Sequence, residues 1–317
     1  MTPTDTKKKQ PKGKALAALV EMPTQLPATS LGKRLEHLSF SSINKFYSCP
    51  EQWRRHYLLG ERTPTNGNML YGSVMHKVVE IGALAKRDGK KGLDKSSVDD
   101  VAETAFKALV AEAEKKGGGG VNLDGTGGNA ATLDLCRKGS RVIAEELLPT
   151  LPTVIATEVK KSASIGEGVE WEIMGYLDLI CEDKDGVLPM DIKTKIAGRS
   201  AGKAYDTSMQ VDIYLLLLGL DADYGSQKIK RFQYIELLGE TAQKPVRVQN
   251  YVTSRTPAQL KVTMLRIAQA AQQIDLLERT YGRDNPWPFA RPDNFLCNAK
   301  FCGFYADGSC PVSGKGL

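Results

Sequence analysis

The sequence predicts a mixed α/β domain with a central β-sheet, preceded by a helical segment. Three observations predict it. Helical patterns dominate residues 38–150, strand patterns cluster within residues 151–255, and a long amphipathic helix follows. Runs of strand pattern bounded by helical pattern, within one chain of 317 residues, are typical of a sheet flanked by helices. No internal repeat is visible.

Composition and charge narrow the class of protein. An apolar content of 41% and a charged content of 25% fit a globular domain. The net charge is +6, but most of it lies in residues 1–34, so the rest of the chain is nearly neutral. We expect residues 1–37 to form a disordered basic tail and residues 38–317 to form a single domain. The lysine-rich start is not a secretory signal, and no apolar run is long enough to span a membrane.

Helices are expected in residues 38–150. Ser41 or Ser42 is a candidate N-cap of the first helix, and a second short helix carries Trp53 and Tyr57 one turn apart. We expect a loop at 63–68, helices at 71–80, 98–116 and 130–148, and a mobile glycine-rich loop at 115–128. His76 lies on the third of these helices, where a lone histidine is more often structural than a ligand.

The residues that carry chemistry lie mainly in a predicted hairpin at 171–193. Residues 173–181 and 187–192 have strand composition, and the segment between them ends in Asp-Gly, a strong hairpin signal. Each strand carries one aspartate, Asp178 and Asp191. Lys193 lies two residues beyond Asp191, so both side chains leave the same face of an extended strand. Two acids and a lysine suit a metal-dependent hydrolase, and an ordinary hairpin with solvated acids is the alternative.

The elements around this hairpin complete the predicted core, residues 151–255. A strand at 154–160 is expected to point Glu158 opposite to its neighbours. A helix at 204–218 carries Gln210 and Tyr214 one turn apart, and two further strands are expected at 230–238 and 246–252. Residues 256–317 then comprise a long helix, which Thr256 and Pro257 begin, and a cysteine-rich tail with little regular structure.

Six cysteines form a second pattern. Without an export signal, a disulfide framework is not expected. Cys136 and Cys181 lie within a predicted helix and strand, where we expect them to behave as buried small hydrophobic residues. Three of the other four crowd the C-terminal tail, which indicates a metal site.

Five motifs occur in an order that is typical of one family. They are the string L-S-F-S-S-I-N-K-F-Y-S-C-P-E-Q-W from Leu38, G-x-x-x-H at Gly72 and His76, G-x-x-D at Gly175 and Asp178, D-x-K at Asp191 and Lys193, and Q-x-x-x-Y at Gln210 and Tyr214. In these the chain resembles the PD-(D/E)xK nuclease superfamily, in its RecB-like and CRISPR-associated exonuclease branch. The resemblance spans residues 38–310 and implies a restriction-endonuclease-like core with a cysteine-stapled C-terminal tail.

The resemblance implies a role for each matching residue. His76, Asp178 and Asp191 would coordinate Mg²⁺ or Mn²⁺, together with the backbone carbonyl of Ile192. Lys193 would orient the attacking water or stabilise the charged transition state. The pair Gln210 and Tyr214 would support the site and contact the DNA strand. Glu158 is a further candidate ligand, because a family carboxylate often lies on that strand; a solvated strand residue is the alternative.

The cysteines also match a feature of this branch, in which one cysteine precedes the nuclease core and three follow it. The resemblance implies a 4Fe-4S cluster held by Cys49, Cys297, Cys302 and Cys310. The spacing here, C-x4-C and then C-x7-C, departs from the tight C-x-x-C that is expected. A structural zinc site is therefore the alternative.

The function that the resemblance implies is a metal-dependent exonuclease that acts on DNA ends in recombination, repair or phage replication. A structure-specific or restriction-type endonuclease is one alternative. A non-catalytic DNA-binding scaffold is another, disfavoured because Asp178, Asp191 and Lys193 are all present. We expect single-stranded or end-resected double-stranded DNA as the substrate and a separate helicase or single-strand annealing protein as a partner. No membrane role is expected, and the expected location is the cytoplasm of a bacterial or phage-infected cell.

Overall fold

The computed structural model describes residues 37–115, 120–164, 171–227, 229–291 and 293–313. The basic tail expected at residues 1–37 lies outside the described residues, apart from His37, and so do residues 116–119 of the expected glycine-rich loop. Within these ranges, no helix is long and apolar enough to cross a membrane.

The longer helices and strands follow one another along the chain in the predicted order. The helices of the described residues are α1 (Phe40–Ser48), α2 (Pro50–Trp53), α3 (Gly67–Arg87), α4 (Lys95–Lys115), α5 (Gly128–Val142), α6 (Met209–Leu220), α7 (Pro257–Tyr281) and α8 (Gly303–Ala306). The strands are β1 (His37–Leu38), β2 (Thr65–Asn66), β3 (Val121–Asn122), β4 (Thr153–Ser164), β5 (Glu172–Asp183), β6 (Gly186–Lys195), β7 (Arg231–Leu238) and β8 (Arg247–Ser254). The predicted fold class, a mixed central sheet flanked by helices, is confirmed.

Six of the strands form the central sheet. Five of them pair in the order β1-β5-β6-β7-β8, and the sixth, β4, pairs with β5 outside this order. The β5–β6 hairpin closes at the pair Asp183 and Gly186, and Gly186 adopts a φ of 100° that few other residues tolerate. The pairing of the two strands ends at Leu179 and Met190. From Met190 onward β6 pairs instead with β7, in parallel. A gap therefore opens between β5 and β6 next to Asp178 and Asp191.

Apolar residues cover both faces of the sheet. One core packs α6 and α7 against it, and includes Leu177, Phe232 and Ile267. The other core packs α3, α4 and α5 against the opposite face, and includes Val74 and Ile192. Helix α6 is buried on every side, since residues 210–218 are all buried and all but Gln210 and Asp212 are apolar or aromatic.

The structure differs from the predictions for residues 38–150 in the N-cap of the first helix and in two short strands. The N-cap of α1 is Ser39 rather than Ser41 or Ser42, because Ser39 and Ser42 exchange side-chain to backbone hydrogen bonds in a capping box. The loop predicted at 63–68 contains β2 and the start of α3, which Asn66 caps. Strand β3 pairs in parallel with β2, and α5 begins at Gly128, so much of the loop predicted at 115–128 is ordered.

The helix predicted at 204–218 is also two elements. A 3-10 helix at Gly202–Thr207 comes first, and α6 begins only at Met209. The break places Ser208 in an extended conformation, so the chain changes direction between the two elements.

The C-terminal tail docks on α2. The rings of Trp53 and Trp287 stack with centroids 5.6 Å apart, and the buried Glu51 accepts a 2.7 Å hydrogen bond from the Trp287 amide. Further along the tail, the guanidinium of Arg55 lies 3.8 Å from the centroid of the Phe304 ring. These contacts bring the two ends of the domain together.

Candidate metal and hydrolytic site

Asp178 lies where β5 and β6 separate, and both of its carboxylate oxygens have partners. Its Oδ2 accepts a 2.7 Å hydrogen bond from the backbone amide of Ile192. Its Oδ1 lies 3.3 Å from Nδ1 of His76. The amide of Ile192 is free to donate because β5 no longer pairs with β6 at this point. The gap between the strands therefore fixes the orientation of Asp178.

His76 reaches Asp178 from helix α3. The helix passes close to β6 at Gly72, one turn earlier, where a Cβ would lie 3.2 Å from Oγ1 of Thr194. Burial by itself lowers the pKa of His76, but the hydrogen bond and charge of Asp178 outweigh it, and the net pKa is raised. The G-x-x-x-H pattern thus combines a close helix–sheet contact with an imidazole aimed at a carboxylate.

Glu158 joins these two residues from strand β4. One ligand atom from each of His76, Glu158 and Asp178 lies within 4.8 Å of the others. The Glu158 backbone has a φ of 49°, in the left-handed region that non-glycine residues rarely adopt. Desolvation, and then the charge of Asp178, raise the pKa of the Glu158 carboxyl. Sequence reasoning gave Glu158 less weight than Asp191, whereas the structure includes it in the tightest group of ligand atoms.

Asp191 lies beside this group and is held by two other side chains. Its Oδ1 accepts a 2.8 Å hydrogen bond from Nε2 of Gln210, and its Oδ2 lies 2.7 Å from Nζ of Lys193. Tyr214 lies behind, with its hydroxyl 3.0 Å from the same Gln210 nitrogen. Burial raises the pKa of the Asp191 carboxyl, against the opposing effect of the Lys193 ammonium. The structure thus brings Asp191, Lys193, Gln210 and Tyr214 into one connected group.

Gly175 explains how α6 comes so close to the sheet. A Cβ at this position would lie 2.7 Å from Cε1 of Tyr214 and 3.0 Å from Cδ1 of Leu217, which is closer than real Cβ contacts. The glycine of the G-x-x-D pattern therefore makes room for the ring that supports Gln210.

The donor set fits a divalent cation. Carboxylate oxygens and one imidazole are ligands that Mg²⁺ and Mn²⁺ accept. The Oδ2 of Asp191 is buried and makes no hydrogen bond of acceptable geometry within the described part of the chain, although the Lys193 ammonium is close. For Ile192 the structure shows only a role of its amide, so the carbonyl ligand stays a prediction.

Two aromatic residues that the sequence did not indicate line the same face. Tyr234 on β7 lies in register with Asp191, and its ring centroid is 5.8 Å from Nζ of Lys193. The ring of Tyr205 stacks on it at 3.8 Å between centroids. Strand pairing brings Tyr234 to the site although it is far from the motif residues in the sequence, and ring stacking on Tyr234 adds Tyr205.

The four cysteines outside the core form a second candidate site. Cys49, at the N-cap of α2, and Cys297, Cys302 and Cys310 all line one cavity of about 30 Å³. All four thiols are free of disulfides. Cys49 Sγ accepts hydrogen bonds of 3.4 Å from the amides of Gln52 and Ala290. Burial, and then the charges of the neighbouring thiolates, raise the pKa of Cys297, so a cation among these sulfurs would be favourable.

Comparison with known proteins agrees with the fold. A search of curated proteins finds no match to the chain. The family model of the PD-(D/E)XK nuclease superfamily matches residues 37–307, a range that includes the whole central sheet, its flanking helices and the residues of the candidate hydrolytic site. A match over most of the chain shows that the protein belongs to the PD-(D/E)XK nuclease superfamily.

Proposed function

We propose that the chain is a divalent-metal-dependent DNA exonuclease. Membership of the superfamily implies a phosphodiester hydrolase. The observation that supports dependence on a divalent metal is the convergence of His76, Glu158 and Asp178 within 4.8 Å, beside the ion pair of Asp191 and Lys193. A metal held by carboxylate and imidazole ligands, next to a lysine ammonium, can activate a water and neutralise charge on a phosphodiester.

His76, Asp178, Asp191 and the carbonyl of Ile192 would hold Mg²⁺ or Mn²⁺, and we add Glu158 to this set. When bound, the cation supplies a more acidic water and neutralises charge on the phosphate. The single imidazole among oxygen ligands favours Mn²⁺ slightly over Mg²⁺.

The side chains around the cation have distinct tasks in this proposal. Lys193 is partly exposed and carries its ammonium on the face of Asp191, where it can orient a water or stabilise negative charge on the phosphate. Gln210 fixes one oxygen of Asp191, so the other stays directed at the site. Tyr214 restrains Gln210 in turn. Gln210 and Tyr214 are mostly buried, which favours a role in supporting Asp191 over direct contact with the DNA strand.

Action at DNA ends is supported by the resemblance to the exonuclease branch and by the nearly neutral charge of the folded part, which disfavours tight binding at internal sites. The setting would be recombination, repair or phage replication, with a helicase or single-strand annealing protein as a separate chain.

The test is digestion of linear single-stranded, linear double-stranded and closed circular DNA with Mn²⁺ or Mg²⁺. We expect linear DNA to be degraded and circles to be spared. Rapid nicking of circles would instead identify an endonuclease.

We further propose that Cys49, Cys297, Cys302 and Cys310 hold a 4Fe-4S cluster. The four thiols line one cavity, and Cys49 Sγ accepts two amide hydrogen bonds, which supports a site for thiolate ligands. The choice of a cluster over a zinc ion rests on the resemblance to the exonuclease branch.

A further inference from the structure

A basic segment, residues 195–203, begins at the last residue of β6, directly after the D-x-K pattern. Residues 195–203 contain Lys195, Arg199 and Lys203 and no acidic residue. The side chains of Arg199 and Lys203 are exposed. Neither forms a salt bridge with another residue of the described ranges, unlike many other exposed cations of the chain. Hydrogen bonds lower the pKa of the Asp206 carboxyl, and Lys203 lies near enough for its charge to help lower it. Neither Arg199 nor Lys203 is held in an ion pair within the described residues, however, so both cations remain available to a phosphate.

A fully buried carboxylate holds this segment in place. Glu236 on β7 has no exposed surface, and its Oε1 accepts hydrogen bonds from the Ala201 amide at 2.8 Å and from the Tyr205 hydroxyl at 2.7 Å. Its Oε2 accepts a hydrogen bond from the Ser200 hydroxyl. Burial of a carboxylate is unfavourable unless such donors surround it. Nothing in the hydrolytic site described above accounts for Glu236, so its role is to fix the backbone of residues 200–205.

The anchored segment borders the hydrolytic site. Glu236 lies in register with Lys193, and Tyr234 lies in register with Asp191. Paired residues of adjacent strands point to the same face of a sheet. Because Tyr205 stacks on Tyr234 and is bonded to Glu236, the basic segment is fixed at the edge of the face that carries Asp191 and Lys193.

We propose that residues 195–203 bind backbone phosphates of the DNA strand beside the bond to be hydrolysed, and that Glu236 is the positioning residue that holds them there. The inference rests on the proposed function, since it assumes a nucleic-acid substrate. Phosphate contacts by arginine and lysine set the register of a strand without reading its sequence. A fixed backbone lowers the entropy that the segment loses when it binds.

The test is binding of a 20-nucleotide single-stranded DNA labelled with fluorescein, followed by anisotropy in EDTA. The double variant Arg199→Gln/Lys203→Gln should raise the Kd on the order of tenfold and reduce the slope of log K against log salt by about 1.4. The control Lys90→Gln/Lys184→Gln removes two exposed lysines on distant turns and should bind as wild type does. Absence of binding by the wild type, or an unchanged slope in the double variant, overturns the inference.

Glu236 needs a separate test, because removal of a buried group can also affect folding. Glu236→Gln retains an oxygen for Ala201 and Tyr205, and its amide can donate to Ser200, so it should bind DNA nearly as the wild type does. Glu236→Ala should reduce the slope of log K against log salt as the double variant does. When it is combined with Arg199→Gln/Lys203→Gln, the slope should not fall further. A purely structural role would lower thermal stability but leave the slope of the folded protein unchanged, which would refute the positioning role.

Hydrolysis of bis(4-nitrophenyl) phosphate with Mn²⁺ separates this inference from the proposed function. This small diester has no flanking phosphates, so the double variant should cleave it at the wild-type rate while it degrades DNA more slowly. An equal loss on both substrates would show that the segment serves the chemistry and would overturn the phosphate-binding role. Failure of the wild type on both substrates would count against the nuclease proposal, and the binding experiment would still decide the role of the segment.

Discussion

At the scale of single residues, Glu158 combines a candidate ligand with an unfavourable backbone conformation. A left-handed φ for a residue with a Cβ costs about 1 kcal/mol or more, and here the conformation accompanies a carboxylate directed at His76 and Asp178. We expect Glu158→Gln to raise the Mn²⁺ concentration for half-maximal nuclease activity by at least about tenfold, since loss of even an outer partner costs that much affinity. Activity is measured across a Mn²⁺ titration, with Glu172→Gln on β5 as the control. An unchanged Mn²⁺ requirement would remove Glu158 from the ligand set.

A substitution at Asp191 tests the site at the same scale. Asp191→Asn preserves the shape of the side chain and its contact with Gln210 but removes the charge that faces Lys193. We expect DNA degradation to fall at least about 100-fold, while thermal unfolding stays cooperative, because a ligand of the metal contributes several kcal/mol to transition-state stabilisation. The matched control is Asp185→Asn in the exposed turn of the same hairpin. Residual metal-dependent activity within about tenfold of wild type would contradict the assignment.

At the scale of elements, the contact between β5 and α6 positions Gln210. Gly175→Ala would push a methyl group against Tyr214 and Leu217, at a cost of about 1–3 kcal/mol for overpacking. We expect a lower Tm and a fall in kcat that exceeds the loss of folded protein, because Gln210 would shift away from Asp191. The control is Gly92→Ala, where nothing lies within 4 Å of the added Cβ. Full activity in folded Gly175→Ala would show that the helix can move without disturbing the site.

The individual elements differ in how well the sequence predicts them. The β5–β6 hairpin follows from strand composition and an Asp-Gly turn, and α7 follows from its Thr-Pro start, because these signals are local. The strands β1, β2 and β3 have two residues each, too few for any periodicity. The register of β4 shifts between Val154 and Ala156, and Glu158 departs from strand geometry, so alternation along β4 could not place its carboxylate. Tyr205 and Glu236 join the site through tertiary contacts that leave no local pattern.

At the scale of the whole molecule, cysteines from the beginning and the end of the domain line one cavity. We expect protein purified without oxygen to be brown and to contain about four irons per chain. Cys302→Ala should lose the colour and lower the Tm, because the free energy of cluster binding stabilises the docked tail. Cys136→Ala should keep the colour, since burial raises the pKa of this thiol to about 12 and it lies apart from the cavity. Colourless protein with about one zinc would identify a zinc site instead, and protein with neither metal would refute both.

The distance along the chain between Cys49 and its partners has a consequence for biosynthesis. About 250 residues separate Cys49 from Cys297, and a ribosome adds roughly 5–20 residues per second, so Cys49 is made about 10 to 50 s before the other three cysteines. The central sheet and α7 are complete before Cys297 is made. The proposed cluster would therefore be inserted in the last step of maturation, and a chain that terminates before Cys297 lacks three of the four cysteines however well its sheet has folded.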